Sequence, residues 1–154
     1  MCSDNNDSVQ VAYHESGHMV VAYVLGGDLT SVSVSPRQSS FALGKSDYLG
    51  KATAFMAGGE AEERAPHFDP RDMIGRTSDD WKQAKKAGKE SGLTGEDDIV
   101  DLIQQAIDRA CVIVDREWSA VETLAKALIK KNKLQGPEVI AIIKPHIVGE
   151  DATQ

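Results

Sequence analysis

Two histidines stand four residues apart in the stretch VAYHESGHMVVAYVLGG, residues 11–27, with a glutamate directly after the first. Residues four apart share a helix face, so a helix here would turn His14 and His18 toward one ion. Glu15 lies about 100° round from His14, one residue's step on a helix, which puts it beside a bound metal rather than on it. That is the place of a general base. Zinc suits the set, because it accepts imidazole nitrogen and carboxylate oxygen, does no redox chemistry and lowers the pKa of its water to about 7. With Glu15 taking that water's proton and passing it to a leaving amine, the chemistry expected is hydrolysis of a peptide bond. Chance alone produces the pattern in roughly one sequence in 150 of this composition, so the competing reading is a buried helix whose histidines bond to their neighbours.

Two imidazoles are one ligand short of a catalytic zinc site, which has three protein ligands and one open position. A third histidine six residues after His18 is excluded, since Val24 stands there. The remaining ligand must come from elsewhere. GGEAEERA supplies Glu60, Glu62 and Glu63, RTSDDW supplies Asp79 and Asp80, and spacing alone leaves all five open. His67, in APHFDPRD, reads as a solvent-facing loop histidine, and His146 is assigned no role. Trp81 and Trp118 read as packing anchors rather than substrate platforms, and Gly58-Gly59 as a close approach of two helices. The lysine-rich KKAGKE and KALIKKNK read as solvated helix ends, where positive charge suits the dipole.

The elements that must position these residues follow from the hydrophobic period. Residues 8–25 read as a helix, capped by Asp7 or Ser8 and ended by Gly26-Gly27, with residues 1–7 expected to be disordered. LTSVSVSP alternates as a half-buried strand over residues 30–35, closed by Pro36. Ser46 is placed as the cap of a second helix reaching about Ala65, and Thr77 or Ser78 as the cap of a third. Apolar residues keep helical spacing from 96 to 131, with a break near 116–119, and Gly136-Pro137 opens a short last helix. The fold class expected is mainly α, with a small β element beside the histidine-bearing helix, over a single domain, residues 1–154.

Bulk composition narrows the classes. At 154 residues, 41% hydrophobic and 27% charged, the chain is ordinary for a soluble globular protein. A net charge of −7 argues against a general nucleic-acid or anionic-membrane surface. Two cysteines, Cys2 and Cys111, make no disulfide framework, and with no apolar leader in MCSDNNDSVQ the expected compartment is the cytoplasm. The longest apolar run, residues 19–25, is far short of a membrane span.

The order of motifs then points further. YHESGHMVVAYVL, VSVSPR, AGGEAEE and TSDDWKQA, followed by the apolar helical pattern of the last third, resemble the peptidase domain of FtsH-type AAA proteases from about residue 11 to 143. The resemblance implies a helical zinc metallopeptidase with His14 and His18 as ligands, Glu15 as catalytic base and an aspartate as third ligand. Counting back from Ala84 puts that aspartate at Asp80, and counting forward from Gly75 gives Asp79. Asp80 is preferred because Trp81 then takes the family's apolar position, and a carboxylate in a helix's first turn would be held by the free amides. Glu62 matches a family glutamate and is expected to fix the tautomer of a ligand histidine. The strand over residues 30–35 is expected to offer its edge to substrate backbone.

The departures from the family shape the rest of the expectation. The sequence carries no Walker segment, and residues 89–97 are short where the family has a long loop. The function expected is therefore an ATP-independent zinc endopeptidase acting on peptides or unfolded segments, with a separate ATPase as an optional feeder and self-assembly left open. The alternative is a non-enzymatic module that keeps zinc without turnover.

Overall fold

The computed structural model describes residues 2–149, with side chains from Asp7 onward. The described residues are mainly helical with one small sheet. In chain order the elements are α1 (Cys2–Val24), β1 (Asp28–Ser33), β2 (Gln38–Ala42), α2 (Tyr48–Glu63), α3 (Ile74–Glu90), α4 (Glu96–Arg116), α5 (Trp118–Lys131), β3 (Lys133–Gln135) and α6 (Gly136–Ile143). Short 3-10 turns cover Pro70–Asp72 and Lys144–His146. None of the described helices is long and apolar enough to cross a membrane.

α1 is the central element. Every residue from 10 to 22 is buried, polar ones included, because α2, α5 and the sheet pack around it. A helix covered on all sides needs no polar face. It begins at Cys2, so Asp7 and Ser8 lie inside it instead of capping it. The expectation for residues 1–7 falls partly outside the described residues. At the other end Gly26, with φ +83°, takes the left-handed turn that stops the helix, as expected of a glycine there.

α2 lies against α1 at short range. A Cβ on Gly17 would stand 2.5 Å from the Ala57 carbonyl oxygen and 2.6 Å from the Ala61 Cβ, so only glycine lets the two helices come this close. The cap of α2 is Asp47, not Ser46: its carboxylate accepts from the Gly50 amide at 2.9 Å. α3 also starts earlier than expected. The Pro70–Asp72 turn leads the chain into the helix, and Thr77 and Ser78 lie inside it rather than capping it. The break between α4 and α5 falls at Glu117, which is buried and accepts from Arg116 Nε (2.8 Å) and from the amides of Val148 (2.7 Å) and Gly149 (2.9 Å).

The sheet has three strands where the alternation pattern gave one. β1 pairs antiparallel with β2 (Ser33 opposite Gln38, Asp28 opposite Ala42) and, on its other side, with β3 (Val32 opposite Leu134). The order β2-β1-β3 makes β1 the central strand. Both its edges are paired, so the expectation that residues 30–35 offer an edge to substrate is corrected: the outer strands of the sheet are β2 and β3. Asn132, which ends α5 at φ +67°, ties the far end of β1 by bonding the Ser35 amide (3.0 Å) and carbonyl (2.9 Å) through its side chain.

Candidate metal centre

The packing of α1, α2 and α3 brings three side chains together. His14 and His18 leave α1 on one face, and Asp80 reaches them from α3, all three buried. Asp80 Oδ2 is 2.7 Å from His14 Nε2 and 3.2 Å from His18 Nε2. One ligand-type atom from each of the three lies within 4.8 Å of the others. Asp79, by contrast, points outward and pairs with Arg37 at 2.6 Å. The reasoning that placed Asp80 in a first turn does not hold. It is the seventh residue of α3, so side-chain packing rather than free amides aims it.

The other ring nitrogens are committed. His14 Nδ1 bonds Glu62 Oε1 at 2.7 Å, and His18 Nδ1 bonds the Ala54 carbonyl at 2.8 Å. Both contacts fix a tautomer and turn Nε2 toward Asp80. Glu62 is itself clamped, accepting from Gln10 Nε2 at 2.8 Å and from Arg76 Nη2 at 2.6 Å. Burial works against its charge, but these three bonds outweigh it and pull Glu62 down to about 2. Burial likewise disfavours charge on the imidazoles, and the Asp80 carboxylate reverses this: His14 is raised, and His18 is raised to about 9. Asp80, also desolvated, is held well below the usual carboxylate range by the same two rings.

Two features fit a metal ion at this point. Gly58 of α2 faces the imidazoles, and a Cβ there would stand 2.5 Å from His18 Nε2 and 2.6 Å from His14 Nε2. The glycine thus leaves open the volume between the ligand atoms, beyond the simple helix approach expected of it. Glu15 is buried beside the cluster, its Oε2 4.0 Å from His14 Nε2 and without a hydrogen-bond partner. With only the Arg37 guanidinium 3.9 Å away, a buried carboxylate oxygen that accepts no hydrogen bond is costly unless a water or ligand meets it. Two nitrogens and one oxygen in this arrangement match the donor chemistry of zinc with a fourth position to spare.

Glu60 and Glu63 stay away from the cluster: Glu60 pairs with Arg64 and Glu63 is exposed. His67 is exposed at φ +57°. His146 bonds Ser119 at 3.0 Å. Trp118 stacks on Tyr13 with ring centroids 5.5 Å apart, an anchor as expected, but Trp81 is 37% exposed. Three participants had not been singled out: Gln10, Arg76 and Arg37, whose Nη1 lies 3.9 Å from Glu15 Oε2. The first two were within reach of the helical period, since Gln10 precedes His14 by one turn and Arg76 precedes Asp80 by one turn.

No family model matches the chain. It is similar, at 26% identity, to the "ATP-dependent zinc metalloprotease FtsH 1" of Symbiobacterium thermophilum. The match takes in 92% of this chain and 31% of that protein, so the chain spans under a third of the length of the curated relative. The likeness is weak, and it assigns the chain neither a family nor an activity.

Proposed function

We propose that this chain is a zinc metallopeptidase related to the FtsH proteases, cleaving peptides, flexible tails or unfolded segments without ATP. The observation that carries this reading is the convergence of His14, His18 and Asp80, with a buried Glu15 oxygen beside them that accepts no hydrogen bond. His14 and His18 would hold the ion through Nε2 and Asp80 through a carboxylate oxygen. Bound there, zinc supplies a polarised substrate carbonyl and a water whose pKa is lowered to about 7. Glu15 takes the proton of the attacking water at its free oxygen and delivers it to the departing amine. Glu62 and the Ala54 carbonyl keep the two rings oriented, and Arg76 and Gln10 hold Glu62 in turn. Arg37, tethered by Asp79, keeps a positive charge at the mouth of the site.

Metal analysis of purified wild type and Glu15→Gln tests this directly. One zinc per chain is expected in both, with cleavage of unfolded casein or a peptide library by the wild type alone. Asp80→Ala should lose the metal and Asp79→Ala should keep it. Stoichiometric zinc with no turnover in the wild type would turn the reading to a metal-holding interaction module, and absence of metal from both proteins would remove the site altogether.

A further inference from the structure

A groove runs along α3 away from the histidine cluster. Its first hollow, about 150 Å³, is bounded by the apolar Phe55, Met56, Met73, Trp81 and Ile107 and by the acidic Glu60, Glu63 and Asp80. The second, about 600 Å³, shares Met73, Thr77 and Trp81 with the first and adds Ile74, Lys82 and Lys85. The third, about 320 Å³, is lined by Lys82, Lys85, Lys86 and Lys89. Shared walls make the three one path, apolar with an acidic rim of Glu60 and Glu63 beside Asp80 and basic at its far end.

Three properties of the path call for an occupant. Ile74 and Trp81 are 70% and 37% exposed, which is unusual for residues of this size on one helix face. Four lysines fall within eight residues on a chain of net charge −7, and among the described residues none of the four is within ion-pair reach of a carboxylate. Thr77 Oγ1, on a residue that lines the first two hollows, is buried with no hydrogen-bond partner. From Met73 to Lys89 the helix rises roughly 24 Å, the length of roughly seven residues of extended peptide.

We propose that this groove binds the substrate's flanking segment: an extended peptide with one large apolar residue close to the scissile bond and acidic residues roughly two to four positions from it. The apolar side chain fills the hollow between Phe55, Met73 and Trp81, and the acidic residues meet Lys82, Lys85 and Lys89. Continuity with the metal cluster through Asp80, and charge opposite to the lysine row, single out a substrate peptide over a second copy of this acidic chain. The inference rests on the peptidase reading, but its test does not require turnover.

The probe is a fluorescein-labelled peptide carrying one leucine and three acidic residues, with two controls: lysines for the acidic residues, and serine for the leucine. Anisotropy titrations use zinc-loaded Glu15→Gln protein. The acidic probe should bind about tenfold tighter than the lysine control, with the margin shrinking as salt rises. The serine control should bind more weakly than the leucine probe. Lys82→Glu/Lys86→Glu, at exposed positions, should invert the charge preference, and Met73→Ser should weaken all probes that carry leucine. Equal affinity for acidic and basic probes overturns the proposal, as does sedimentation showing that the double lysine variant abolishes self-association while leaving peptide binding unchanged. Wild-type cleavage of both charge types at one rate overturns the groove and leaves the peptidase. Selective binding without any wild-type cleavage supports the groove and removes the peptidase.

Discussion

Gly58 is the residue at which a metal site and a mere histidine cluster part company. Both imidazole rings are pinned from behind, His14 by Glu62 and His18 by the Ala54 carbonyl, so neither can retreat from a methyl group placed 2.5–2.6 Å away. Alanine in a helix interior is otherwise favoured over glycine by about 1 kcal/mol. Gly58→Ala is therefore expected to keep its helical circular dichroism and lose stoichiometric zinc, and a variant with the wild-type metal content would contradict the site. Glu62 makes a second test, through pH. Its pKa is depressed from 4.5 to about 2, so the stability it contributes is fully present above 4.5 and disappears as pH falls toward 2. Glu62→Gln should lower stability at pH 7 by on the order of 2–3 kcal/mol, and the gap in urea midpoints should close as both proteins approach pH 2. That His14 and His18 would face one point was legible because residues four apart share a helix face. Arg37 was not, because its contact with Glu15 depends on how the segment after β1 folds back over α1.

At the scale of elements, the helical period located five of the six helices to within a few residues, and the α4–α5 break was visible as a change of apolar phase. The start of α3 was missed because Thr77 and Ser78 look like caps, whereas a proline-led turn begins the helix before them. The sheet was the largest gap. β3 follows β1 by about a hundred residues, and no local pattern in a three-residue strand says that Leu134 will lie opposite Val32. That pairing is what turns a presumed edge into a central strand. Glu117 shows how one side chain joins elements that sequence separates, since it holds the break between α4 and α5 and the chain's last described residues at once. Glu117→Ala removes the acceptor of the Val148 and Gly149 amides and should cost about 1–3 kcal/mol. Hydrogen exchange should rise at residues 147–149 while zinc content stays at the wild-type level. Unchanged exchange there would mean that the Ile147 contacts alone hold the segment.

For the whole molecule the cluster is a clasp between α1 and α3, lined by α2, so metal binding and folding are linked quantities. Zinc present at a hundred times its dissociation constant adds about 2.7 kcal/mol, which for a chain of this size raises Tm by roughly 5–11 °C. The sign of the pH effect follows from the imidazoles. In metal-free protein His18 is raised from 6.5 to about 9, so its charge contributes stability that is full below 6.5 and fades as pH rises through 9. A zinc ligand must be neutral, so the ion displaces that proton, and zinc affinity should climb with pH over the same interval. Metal-free Tm therefore falls while the metal-bound form keeps its own, and the difference between them should be larger at pH 8 than at pH 6. Differential scanning fluorimetry with and without zinc reads both quantities in one experiment. Glu15→Gln should show the full shift, since the base does not hold the metal, and Asp80→Ala should show none. A shift of equal size at the two pH values, or one that survives loss of Asp80, would mean that zinc is binding somewhere other than between these three side chains.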